Sequence, residues 1–134
     1  MTALLLVALL STAPPLYGDD VYTTILNQVG YDVREQPCGS APEFATVAIF
    51  TNGTVKLNGA SKDPAAVATF FDQNWVRVRS YCLYIEGPWS KPERDAYHQI
   101  MSGVMRHDFG VSRFTDPEFT KRAVPRFSGL PKVK

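Results

Sequence analysis

The chain has 134 residues, enough for one domain with appendages. Its 45% hydrophobic and 20% charged content is that of a globular protein and excludes a disordered or repeat-built chain. Fourteen Lys and Arg against thirteen Asp and Glu leave a net charge of +1. With no aromatic-basic stripe, that balance gives no footprint for nucleic acid.

The N-terminal part, 1–18, contains the eight-residue apolar run Ala3 to Leu10. Such a run matches a signal-peptide core and is far short of the roughly 20 residues that span a bilayer. No basic residue precedes it, and cleavage would fall after Ala13 or Gly18. A second reading is the outer half of a membrane helix that begins upstream of Met1, ended at the surface by Thr12-Ala13-Pro14, and a third is an unrelated apolar start. The first two readings put the remainder outside the cytoplasm, in the periplasm or cell envelope. Residues 19–43 read as a polar connector rich in Gly, Pro and Asp. Within it, Asn27-Gln28-Val29-Gly30-Tyr31 resembles the opening of an immunoglobulin-like module of secreted cellulases. The alternating strands of a sandwich do not follow.

The two cysteines suit an oxidising exterior: a Cys38–Cys82 bridge would pin the connector to the domain. The alternative is two free thiols, one of them buried as a small hydrophobe. No CxxC or Cys/His cluster points to zinc.

Regular structure is concentrated in 44–117. Ala45 to Phe50 is apolar, and Asn52-Gly53 follows as a hairpin signal because both residues tolerate the positive φ of a type I′ turn. Val55 and Leu57 then alternate with polar neighbours. Ser61-Lys62-Asp63-Pro64 reads as a cap followed by a first-turn proline. Val67, Phe70, Phe71 and Trp75 give the next helix one apolar face. Tyr81 to Ile85 reads as a central strand. Ser90-Lys91-Pro92-Glu93 is a capping box, after which Tyr97, Ile100, Met101, Val104 and Met105 share a side and Gly110 ends the helix. Gly103 within it marks close packing on the sheet. Val111-Ser112-Arg113-Phe114 closes the series as an edge strand, and 118–134 reads as a basic flexible tail. The predicted fold is α+β, a two-layer β-β-α-β-α-β sandwich with a four-stranded sheet and two helices on one face.

Catalytic patterns are missing from the sequence: no nucleophile elbow, phosphate loop or dinucleotide fingerprint occurs. On a single helix His98 and His107 would be about 2.5 turns apart, on opposite sides, and unable to share a metal. Cys82 as a nucleophile beside His98 is disfavoured by its mid-strand position. The sequence therefore reads as non-catalytic, with no cofactor and no metal. Asn52-Gly53-Thr54 also matches a glycosylation sequon, though the hairpin accounts for it.

Several of these segments resemble the periplasmic domain of the ExbD/TolR family. They are the hairpin leading to Leu57-Asn58-Gly59, the strand ending Ile85-Glu86-Gly87, Tyr97 with Ile100-Met101 and Val104-Met105, Gly110-Val111, and the exit Phe114-Thr115-Asp116-Pro117. The resemblance implies an accessory module of envelope energy transduction. It would act beside an ExbB/TolQ-like stator protein or a TonB/TolA-like transducer, as a homodimer, with membrane association through the N-terminus. The family's membrane helix carries an aspartate, whereas residues 2–16 hold no acid. If a membrane helix begins upstream of Met1, that aspartate would lie just before Met1; if Met1 is the genuine start, the resemblance implies the protein-binding module alone. Partner binding is expected at the edge Val111, Ser112, Arg113 and Phe114. The alternative reading is a small secreted carbohydrate-binding or cellulase-related protein.

Overall fold

A computed structural model describes residues 14–126. The apolar run and the end of the basic tail lie outside these residues. No helix among the described residues is long and apolar enough to cross a membrane.

The chain forms α1 (Val21–Val29), β1 (Tyr31–Glu35), β2 (Phe44–Ile49), β3 (Val55–Leu57) and β4 (Ala60–Lys62). It continues with α2 (Pro64–Asn74), β5 (Ser80–Ile85), α3 (Lys91–Val104), β6 (Gly110–Phe114) and β7 (Lys121–Pro125). The predicted four-stranded sheet with two helices is wrong. Among the described residues there is one mixed seven-stranded sheet, ordered β1-β7-β6-β5-β2-β3-β4, and three helices. β2, β5 and β6 run parallel, as crossovers through α2 and α3 require. The other pairs are antiparallel.

Two of the three extra strands, β1 and β7, come from the segments read as connector and tail, and the third, β4, lies within 44–117. β1 pairs along its whole length with β7, and β7 joins β6 through Arg113↔Ala123 and Phe114↔Arg122. Val111 to Phe114 is therefore not an edge: β6 lies between β5 and β7. Among the described residues the end strands of the sheet are β1 and β4.

The hairpin signal was correct in kind but misplaced in detail. Around Asn52-Gly53 only Gly53 takes a positive φ, and its amide donates to the Phe50 carbonyl. This is a longer loop closed by a left-handed glycine. The type I′ geometry, with both residues at positive φ, occurs at Asn58-Gly59 and folds β3 back onto β4.

One row of paired residues crosses the sheet: Val33, Ala123, Arg113, Leu83, Val47 and Leu57. Alternation puts them all on the face covered by helices. Over the β2 and β5 half, Val67 and Phe71 of α2 and Tyr97, Ile100 and Val104 of α3 pack on Val47, Ile49, Leu83 and Ile85. Over the β7 and β1 half, Leu26 of α1 packs with Leu16, Tyr31 and Ala123. Gly103 serves a contact between helices and not one with the sheet, since a Cβ there would strike the Ala68 backbone of α2. The Ser90–Glu93 capping box forms as predicted, with the Ser90 hydroxyl taking the Glu93 amide and the Glu93 carboxylate taking the Ser90 amide.

Two members of the predicted apolar faces lie outside the core. Trp75, the C-cap of α2, is 52% exposed and stacks on His107, and Met105, the C-cap of α3, is 81% exposed.

On the opposite face of β5, Cys82 is bonded to Cys38, with 6.2 Å between their Cα atoms. Segment 36–43 is held alongside by Gln36 and Cys38 amides donating to Thr120 and Phe119 carbonyls. The bridge spans 44 residues in sequence. A loop of that size corresponds to about 4 kcal/mol of stabilisation in the chain-entropy view. The Cys38→Ser/Cys82→Ser double variant is expected to lose most of that in denaturant unfolding. A loss below about 1 kcal/mol would show that the bridge contributes little to holding the connector.

Candidate functional site

A groove of about 570 Å³ opens between the N-terminus of α1 and the C-terminal half of α3. Its position follows from a buried polar chain. Arg113 on β6 is fully buried and donates through Nη1 to the Tyr17 carbonyl and the Thr23 hydroxyl, each at 2.7 Å. Thr23, on α1, donates its hydroxyl hydrogen bond to Asp20 Oδ1 at 2.7 Å. Asp20 caps α1 by taking the Thr23 amide at 3.0 Å. Tyr97 on α3 completes the chain: its hydroxyl donates to Asp20 Oδ1 at 2.9 Å and accepts the Asp19 and Asp20 amides. One strand and two helices are thus joined through four side chains.

Among the described residues Arg113 makes no direct ion pair. Burial pulls its pKa down, and the nearby charge of Asp20 and the surrounding tyrosines oppose that pull. The guanidinium remains cationic at physiological pH. Its Nη2 has no hydrogen-bond partner among the described residues.

The groove floor is Tyr81, Met101, Val104, Phe109 and Val111, and the rim carries Asp19, His98, Met105, His107, Asp108 and Val21. His98 Nε2 lies 2.6 Å from Asp19 Oδ2, and His107 Nε2 lies 2.8 Å from Asp72 Oδ1. The prediction that the two histidines face opposite sides fails because α3 ends at Val104, so His107 lies in the turn beyond it. Both line this groove. Even so, no group of three or more metal-ligating side chains is assembled among the described residues. Cys82 is tied up in the bridge and is not a thiol available to His98.

The other surface suited to binding is the β1 edge. Tyr31-Asp32-Val33-Arg34-Glu35 is exposed from Asp32 onward, and Val33 is 52% exposed although it faces the helix side. Among the described residues β1 has β7 as its only strand partner. Of the predicted edge, Val111 instead lines the groove, Arg113 and Phe114 are buried, and Ser112 is half-buried. Neither surface was singled out from the sequence. The Asp20–Thr23 spacing, a capping residue three before its partner, was the available signal for α1.

Comparison with known proteins finds no matching family model, no matching curated protein and no matching solved structure.

Burial and the Asp20 carboxylate push the Tyr81 and Tyr97 phenols well above their ordinary range. An unfolded tyrosine ionises near pH ~10. The folded state therefore keeps its full tyrosine contribution below that pH and loses it as pH rises further. In an alkaline titration, the phenolate signals of these two tyrosines are expected to appear only with unfolding. Their reversible ionisation in the folded protein would contradict the buried geometry.

Proposed function

We propose that this protein is a non-catalytic extracytoplasmic module that works by pairing with other protein chains, in the manner of the ExbD/TolR periplasmic domain. What supports the reading is the order of elements between Phe44 and Phe114, a strand and hairpin followed by helix, strand, helix and strand. The resembling motifs fall within this series or at its exit. The disulfide supports an oxidising compartment. On this reading the partners are a second copy of the chain and an envelope protein of the stator or transducer type.

The observation that carries the reading is the β1 edge. A strand with one unpaired side is a template for another strand. The sequence Tyr31-Asp32-Val33-Arg34-Glu35 is self-complementary when two copies run antiparallel about Val33. Val33 then meets Val33, and each Asp32 meets the other copy's Arg34. Opposite charges directly across a strand pair stabilise it by some 0.2–1 kcal/mol each. The result is an isologous two-fold dimer with a continuous sheet.

Sedimentation equilibrium at high micromolar concentration tests this. The wild-type chain is expected to dimerise. Arg34→Asp, which sets two carboxylates opposite each other, is expected to be monomeric with unchanged stability. A wild-type protein that stays monomeric, or an Arg34→Asp variant that dimerises equally well, would exclude β1 as the interface.

A further inference from the structure

The α1–α3 groove has features that edge pairing does not use. Its floor is apolar, and two large apolar side chains on its rim stand in solvent, Val21 at 75% and Met105 at 81% exposure. The apolar track continues past His107 and Asp108, which also line the next groove, to Trp75 and Val76 at 52% and 68% exposure. Isolated exposed apolar residues are ordinary, but a connected track flanked by polar groups marks a binding surface. Methionine suits such a surface because its flexible thioether adapts to different partners.

Charge narrows the partner further. Asp19, Asp20 and Asp108 lie on the groove, and no lysine or arginine lines it among the described residues. Asp20 is consumed by Thr23 and Tyr97, and Asp19 is paired with His98. Asp108 is exposed and makes no ion pair among the described residues. Arg79 enters only in the adjoining groove, so the acidic stretch is confined to the α1–α3 part.

We infer that this track docks an extended segment of another protein in which apolar side chains alternate with lysine or arginine. The apolar side chains would enter the groove over Met101 and Phe109, and a cation would meet Asp108 on the rim. An extended strand suits a long track because alternate side chains fall on one face.

The test titrates isotope-labelled protein with a blocked hexapeptide of alternating lysine and leucine, in parallel with its glutamate-leucine counterpart, read by amide chemical shifts. It uses the Arg34→Asp variant, so that the outcome does not depend on edge pairing. The basic peptide is expected to shift Met101, Met105 and Phe109, and to bind less tightly as salt screens the rim. Asp108→Lys and Met105→Ser change exposed side chains and leave the fold intact, and each is expected to weaken the basic peptide by about tenfold. The inference is overturned by any of three results: no shifts with the basic peptide, equal binding of the acidic peptide, or shifts that cluster away from the groove.

Discussion

The fold depends on how a buried guanidinium is held. Taking Arg113 out of water costs several kcal/mol unless its protons are met. Here the partners of Nη1 come from outside its own strand, while Nη2 has none among the described residues. The Tyr17 carbonyl and the Thr23 hydroxyl belong to the N-terminal segment, and Thr23 relays to Asp20 and Tyr97. Arg113 therefore requires residues 17–23 in place, and α1 in place covers Tyr31 and Ala123 of β1 and β7. The same chain positions Asp19 and Asp20 at the mouth of the groove. The placement of the α1, β1 and β7 layer, and of Asp19 and Asp20 on the groove, is tied to this buried cation.

What could be read from the sequence was what local signals encode. The Ser90–Glu93 capping box, the buried Val67 and Phe71 and the central strand at Tyr81–Ile85 all depend on short spacings, and the structure shows each of them. β4 escaped notice because all three of its residues are exposed, leaving no apolar alternation to read. β1 and β7 are charged strands joined across some ninety residues, and no local pattern reports such a pairing. Arg113 misled because a cation in a short strand reads as a solvent-facing edge, the usual place for a charged side chain. His107 misled because α3 ends six residues before Gly110. That changes which way the histidine faces and brings it to the groove with His98.

The two faces of the sheet are secured differently. The helix side is closed by apolar packing and the Arg113 chain, and the other side by the Cys38–Cys82 bridge and the Phe114–Phe119 contact. Neither device blocks the β1 edge. A chain stabilised in this way can present a strand edge and a groove as separate docking surfaces, which is the basis for reading it as a module for recognition.

The central claim is that the Arg113–Thr23–Asp20–Tyr97 chain binds the α1, β1 and β7 layer to the rest. Native-state hydrogen exchange on Thr23→Val, which keeps shape and removes the relay, tests it most directly. The account predicts that amides of α1, β1 and β7 lose protection while those of β2 and β5 keep theirs. Unchanged protection in β1 and β7, or an equal loss across the whole sheet, would contradict it.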